Sequence, residues 1–365
     1  MIGRPCPVVW PTDLSALDPP SSLPHALRYA PLAPAPASRV LDPVAGDPFG
    51  DLDVDTRPAT APRAVPERGT LPARCDAVIV NYNAGALLAR AVASLQRSPR
   101  VARIVVVDNA SVDDSLARLE AECADATRLT VLRSAANLGF ARGCNLGAAR
   151  TDAPFVLYLN PDCVVADDAV ELLLETLAAR PEAGMAGPMI VNPDGSEQAG
   201  ARRAIPTPWR SFVRAFGLSR LSARYPRLFS DFLLHSEPVP DRPTRVEAIS
   251  GACMLVRRES LAGVGLLDEG YFMHCEDLDW CMRFRMTGWQ VLFVPQARVT
   301  HVKGTSSRSR PVFVEWHKHA GMIRFYRKFF RHQYPGALMW FVSVGVWLRF
   351  GGVATYHLAR RLVGR

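Results

Sequence analysis

The clearest pattern in the chain is a run of apolar strands, each stopped by a polar cluster and followed by a helix-spaced stretch. Cys75-Asp-Ala-Val-Ile-Val80 is short, apolar and β-branched, and ends at Asn81-Tyr-Asn83. Leu87, Leu88, Val92 and Leu95 then recur at helical spacing over 84–97. Arg103-Ile-Val-Val-Val107 predicts a second strand ending at Asp108-Asn-Ala-Ser111, with a helix over 112–124. A third strand is predicted over 129–132, a helix rich in small residues over 140–150, and a fourth strand over 155–159 ending at Asn160-Pro-Asp162. Uniformly apolar strands alternating with amphipathic helices predict a parallel sheet covered on both faces, an α/β sandwich of the nucleotide-binding kind.

The rhythm changes in the second half. Strands are predicted over 184–191, 246–256 and 290–294, a turn at Asn192-Pro-Asp-Gly195, and a helix over 276–287. Residues 202–245 are basic, aromatic and irregular, which suits a variable loop or lid. No internal repeat is visible. Residues 1–72 hold 15 of the 30 prolines and predict a largely disordered leader. The expected organisation is therefore a leader over 1–72, a catalytic domain over 73–310 divided at 165/166 into nucleotide and acceptor halves, and a tail over 311–365.

Composition narrows the class. With 365 residues, 48% hydrophobic and 21% charged, the chain has length for one large or two modest domains. Eight cysteines without a CxxC pair argue against a disulfide scaffold, a zinc ribbon or a redox motif, and suit reduced thiols in a cytoplasmic protein. No uninterrupted apolar run of about 18 residues occurs, which excludes a multi-span membrane protein, and the first residues lack the pattern of a secretory signal. The formal charge of +8 resides in the tail: no acid follows Glu315, whereas nine Lys or Arg do.

Ligands of open α/β sheets bind beyond the carboxyl ends of the strands. Three of the first four strands end there in polar clusters, which either make turns or form a site. Asp108 can accept hydrogen bonds from a nucleobase or ribose, and the short side chains of Asn81 and Asn83 can contact the base. Asn137-Leu-Gly139 opens a helix whose amides, with Arg142, suit a diphosphate. Asp162 at a strand end is a ligand for a hard divalent cation, with His301 either a second ligand or a structural residue. The polar Val302-Lys-Gly-Thr-Ser-Ser307 after it can close over phosphates. Glu276 and Asp277 start a helix, where they either stabilise its dipole or supply a general base; pointing in different directions, only one can be that base.

Taken in order, Val-Asn-Tyr-Asn83, Val-Val-Asp-Asn-Ala-Ser111, Asn137-Leu-Gly…Asn145, Leu-Asn-Pro-Asp162, Ser250-Gly-Ala-Cys-Met-Leu-Val256, Glu276-Asp-Leu-Asp279…Arg283 and His301…Ser306 resemble family 2 glycosyltransferases. The nearest subgroup is the rhamnosyltransferase-like enzymes of bacterial cell-wall and polysaccharide assembly. The resemblance covers roughly residues 75–310. It implies a GT-A fold, a Rossmann-like mixed sheet flanked by helices, an inverting reaction and a nucleotide-sugar donor such as dTDP-rhamnose. It places Asn81, Asn83 and Asp108 in the nucleotide pocket and Asn137, Gly139 and Arg142 beside ribose and diphosphate. Asn160-Pro-Asp162 stands where the family has its metal-binding Asp-x-Asp, so Asn160 removes the first carboxylate and leaves Asp162, with His301, to hold Mg²⁺ or Mn²⁺. Asp277 is the implied base with Glu276 orienting beside it, and Ser250, Gly251 and Ala252 line the acceptor side, where a glycine lets the sugar approach.

The tail predicts its own role. Trp316, Ala320, Ile323 and Phe330 are interleaved with cations over 316–331, the pattern of an interfacial amphipathic helix. Ala337 to Leu348 is an apolar segment bounded by Arg349, too short to span a bilayer comfortably. This predicts an enzyme peripheral to the inner face of the cell membrane, meeting a polyprenyl-linked or polysaccharide acceptor at an anionic surface rather than nucleic acid. Competing classes are a sugar nucleotidyltransferase, which needs a glycine-rich loop where Asn-Tyr-Asn-Ala-Gly85 stands, a dinucleotide oxidoreductase, which needs a GxGxxG absent here, and a non-catalytic sugar- or lipid-binding protein.

Overall fold

The computed structural model describes residues 73–362 apart from 124, 216, 222–223, 226–228, 230–231 and 303–309, together with the paired strands Pro43–Val44 and Asp51–Leu52. The rest of the predicted leader, and Lys303 to Ser307 of the predicted phosphate-closing stretch, lie outside the described residues. The chain divides into two compact units; Leu71–Arg203 and His235–Ser309 belong to the first, Ala204–Leu234 and Arg310–Arg365 to the second.

The first unit runs β1 (Cys75–Asn81), α1 (Ala86–Gln96), β2 (Val101–Asp108), α2 (Ser115–Glu122), β3 (Leu129–Arg133), α3 (Phe140–Ala148), β4 (Phe155–Leu159), β5 (Cys163–Val165), α4 (Ala169–Ala179), β6 (Ala183–Val191) and β7 (Arg202–Arg203). After α5 (Pro208–Ala215), which is part of the second unit, it resumes with β8 (Thr244–Val246), β9 (Ala248–Ile249), β10 (Cys253–Arg257), α6 (Glu276–Met286) and β11 (Gln290–His301). One nine-stranded sheet has the order β8-β11-β6-β10-β4-β1-β2-β3, with β5 paired to β11.

The sheet is mixed. Strands β4, β1, β2 and β3 are parallel, as the buried apolar runs predict. Strand β10 lies antiparallel between β4 and β6, and β11 runs parallel to β6 but antiparallel to β5 and β8. Every residue of β1, β4 and β6 is buried, and α1 and α4 cover this core with Leu88, Val92, Leu95, Leu173, Leu174 and Leu177. Helix α3 packs tightly: a Cβ on Gly147 would lie 2.4 Å from Val78 Cγ1. Gly147→Ala is therefore expected to cost about 1–3 kcal/mol by overpacking, read as a lower urea midpoint at unchanged slope.

Three elements differ from the sequence expectation. The strand expected over 246–256 is broken into β8, β9 and β10, with a turn at Ser250–Ala252 between the last two. The strand expected over 290–294 continues to His301, because a register shift between Val294 and Arg298 accommodates Pro295 in the ladder. Part of the stretch read as loop or lid is ordered as β7, α5 and β8.

In the second unit, α5 is accompanied by α7 (Pro311–Phe329) and α8 (Gly336–Leu362). Phe325, Tyr326, Phe330 and Tyr334 are buried, and Tyr326 Oη donates to Ser211 Oγ at 2.6 Å. Trp316 of α7 meets the rings of Trp347 and Phe350 of α8 at 4.9 and 5.5 Å. Helix α8 corrects the dozen-residue reading: it does not end at Arg349 but runs on to Leu362, 27 residues in all, about 40 Å at 1.5 Å per residue. A single arginine interrupts a hydropathy run without interrupting backbone hydrogen bonding. Gly336–Arg360 is long and apolar enough to cross a membrane. Trp340, Phe341 and Leu348 are exposed on it.

Candidate active site

The carboxyl ends of β1 and β2 carry a self-contained network. Asn81 is fully buried and its Nδ2 reaches Asp108 Oδ1 at 2.8 Å, Ser115 Oγ at 2.9 Å and Ser111 Oγ at 3.0 Å. Asp108 also accepts from the Ser111 amide at 3.3 Å. Asn83, in the left-handed region, accepts from the Val112 amide at 2.8 Å and gives its own amide to Ser111 Oγ at 3.0 Å. These contacts knit the loops after β1 and β2 into one rim, with Asn83 and Ser111 more open to solvent than Asn81 and Asp108.

The start of α3 is occupied by protein acceptors. Asn109 Oδ1 takes the Leu138 amide and Asn137 Oδ1 the Gly139 amide, and Phe272 O takes the Phe140 amide at 2.7 Å. Arg142 pairs with Glu269 at 3.2 Å. Gly139, at φ +84°, is needed because a Cβ there would sit 2.5 Å from Phe272 O.

Asp162 and His301 are brought together by strand pairing. The antiparallel register of β5 with β11 sets His301 opposite Cys163, and His301 Nε2 lies 3.1 Å from Asp162 Oδ1. His301 Nδ1 is 2.7 Å from Gln198 Oε1, a contact that orients the ring with Nε2 facing Asp162. Gln198 is held in turn by Asn192 Oδ1 at 2.9 Å. Ligand atoms of Asp162, Cys163 and His301 lie within 4.8 Å of one another. The carboxylate and imidazole fit a hard divalent ion. The Cys163 thiol does not, since burial and the charge of Asp162 push its pKa well up and its Sγ contacts Ala252 O at 3.6 Å.

The turn Ser250–Ala252 joins this pair to the acidic helix. Ala252 O accepts the Asn160 amide at 2.9 Å, while the Gly251 amide donates to Asp277 Oδ2 at 2.9 Å. A Cβ on Gly251 would lie 3.1 Å from Asp277 Cβ, so the missing side chain lets the Asp277 side chain pack closely against the turn. Ser250 is fastened through its amide to Ala201 O at 3.2 Å.

Glu276 and Asp277 begin α6 after two consecutive non-glycine residues at positive φ, His274 and Cys275. Such strained backbone is retained where neighbouring structure enforces it and gathers at functional sites. Trp280 locks the helix, donating Nε1–H to Gly265 O at 3.0 Å and packing edge-on against Tyr158. The two acids diverge electrostatically. Burial opposes ionisation of Asp277, but the Arg203 guanidinium and the Gly251 and Leu278 amides outweigh it and hold the carboxyl below its ordinary value. Burial and the charge of Asp277 push the Glu276 carboxyl well up, and its Oε2 is buried without a hydrogen-bond partner among the described residues. The environment thus favours the ionised form of Asp277 and the protonated form of Glu276. Sequence reasoning missed Gln198 and Arg203, which lie in a stretch without periodicity and act across 103 and 74 residues.

The profile of glycosyl transferase family 2 matches residues 76–264. This chain belongs to that family. It is 32% identical over 246 residues to an N-acetylglucosaminyl-diphospho-decaprenol L-rhamnosyltransferase of Mycobacterium tuberculosis, covering 64% of this chain and 78% of the relative. It is 26% identical over 160 residues to the rhamnosyltransferase WbbL of Escherichia coli, covering 43% and 56%. A crystal structure of GalNAc-T7 with UDP, GalNAc and Mn²⁺ superposes with a TM-score of 0.52 at 19% identity, over 71% of this chain and 48% of that one. The mixed sheet flanked by helices is the GT-A fold, as the sequence resemblance implied.

Proposed function

We propose that this glycosyltransferase moves L-rhamnose from dTDP-rhamnose, with inversion, to a hydroxyl of a polyprenyl-diphosphate-linked glycan. The observation that carries the reading is the Ser250–Ala252 turn. Through its backbone it couples the Asp162–His301 pair, by way of Asn160, to the ionised carboxylate of Asp277. A diphosphate-binding cation and a base attached to one short turn are what nucleotide-sugar transfer needs. Both the M. tuberculosis and E. coli relatives support rhamnose, and the M. tuberculosis relative supports a lipid-linked acceptor.

In this reading Asn83, Asp108 and the rim around Ser111 receive nucleobase and ribose, with Asn81 bracing them. Asn137, Gly139 and Arg142 flank the donor, and Asn160 borders its diphosphate. Asp162 and His301 would hold Mg²⁺ or Mn²⁺, which when bound supplies positive charge to the departing diphosphate. The acceptor, lined by Ser250 to Ala252, presents its hydroxyl to Asp277. Its oxygen bonds to the anomeric carbon from the face opposite the diphosphate, the carbon–oxygen bond to the diphosphate breaks with its electron pair going to the phosphate oxygen, and the hydroxyl proton passes to Asp277.

The tail is proposed to hold the enzyme at the inner face of the cell membrane. Arg349 lies near the middle of the apolar window, where a centred charge costs about 2.5–3.5 kcal/mol, so the in-plane arrangement, with Trp340, Phe341 and Leu348 in one leaflet, is favoured over a crossing. The cations of α7 add about 1 kcal/mol each near anionic lipid.

Calorimetric titration with dTDP, UDP and GDP, with and without Mn²⁺, tests the donor assignment. Metal-dependent binding that favours dTDP is expected. A preference for UDP or GDP would keep the transferase and discard rhamnose, and binding of none by folded protein would favour a non-catalytic binding role.

A further inference from the structure

The two arginines of β7 are adjacent in sequence but serve opposite faces, as strand alternation requires. Arg202 is an anchor: it forms a buried ion pair with Glu197 at 2.9 Å, donates to Glu237 O at 2.7 Å and lies over the ring of Phe293 at 5.4 Å. Arg203 faces the other way. Its terminal nitrogen donates both to Ile249 O at 3.0 Å and to Asp277 Oδ2, and its Nε is buried without a partner. Pairing of β7 with β9 sets Arg203 opposite Ala248, so the guanidinium is delivered by the backbone that also delivers Gly251 to the same carboxylate oxygen.

We propose that Arg203 is a positioning residue for glycosyl transfer, aiming the Asp277 carboxylate at the acceptor hydroxyl. The inference rests on the assignment of Asp277 as base. Its chemistry follows from the contacts: with Oδ2 clamped by Arg203 and Gly251 and Oδ1 receiving the Leu278 amide at 2.8 Å, the carboxylate has one fixed plane and one remaining set of lone pairs. A nucleophile–base pair works when a third group orients the base. Around Asp277 the other titratable groups include Glu276 and Asp279 on α6 and the thiols of Cys275 and Cys281, with Arg285 a further cation acting on Cys281. Among the described residues, Arg203 is the cation in contact with Asp277. Removing it leaves the Gly251 and Leu278 amides alone to offset burial and the acidic neighbours.

The experiment measures kcat against pH for the full chain and for the Arg203→Gln, Arg203→Lys and Asp277→Asn variants, with thermal melting as a check on folding. Arg203→Gln keeps an amide donor but no charge, so the acid limb of its kcat profile is expected to move up by roughly 1–3 pH units. Arg203→Lys restores the charge and should bring the limb most of the way back. A folded Arg203→Gln variant with the wild-type acid limb would overturn the proposal, as would equal losses at every pH that lysine fails to rescue. Should Gln not fold, Arg203→Met serves in its place: the acid limb is again expected to move up, and a folded variant with the wild-type acid limb overturns the proposal. Full activity in Asp277→Asn would instead remove the base assignment itself.

Discussion

Replacing Asp277 with Asn is expected to lower kcat by about 10²–10⁴-fold, the contribution of a positioned general base, while nucleoside-diphosphate affinity changes little. The substitution preserves shape but removes the ionised oxygen that Arg203 and the Gly251 amide surround. The asparagine amide also meets the Leu278 amide at the position of Oδ1, donor against donor, so some stability is lost, about 1–3 kcal/mol for an unmet buried group. Steady-state kinetics paired with calorimetry separate the two effects. Loss of nucleotide binding in step with activity would mark Asp277 as structural. Glu276 gives a contrasting control. Burial and the charge of Asp277 favour its protonated form, so it is the poorer base of the two.

The second large effect is expected at the Asp162–His301 pair. Asp162→Ala should weaken Mn²⁺-dependent nucleotide binding by at least about 10–100-fold, the scale on which even outer partners of a metal ligand matter, and leave metal-free binding unaltered. The pair is held by the β5–β11 ladder and by Gln198 rather than by Asp162 itself, so the variant should fold. Full Mn²⁺ dependence surviving in it would remove Asp162 as a ligand.

The parallel half of the sheet was legible because its physics is local. Strands such as Ile104 to Val107 are buried on both faces and write themselves as unbroken apolar runs, and the loops after them collect the Asn, Asp and Gly that turns and ligands share. Divergence of Glu276 and Asp277 was readable from helix geometry, but not which acid is ionised, since that depends on Arg203. Gln198 and Arg203 were illegible because strand pairing, not spacing, carries them to His301 and Asp277. Gly251 was singled out from its motif, but its close approach to the Asp277 side chain was not readable. In the tail, Arg349 masked the length of α8, because counting apolar residues takes no account of a helix that continues through a charge.

The measurement that bears most directly on the account is NMR of a reaction containing the full chain, Mn²⁺, dTDP-rhamnose and a polyprenyl-diphosphate N-acetylglucosamine acceptor. Release of dTDP with one new rhamnosyl linkage of inverted anomeric configuration, absent with Asp277→Asn, is the predicted result. A product of retained configuration, or equal product from the Asp277→Asn variant, would contradict it.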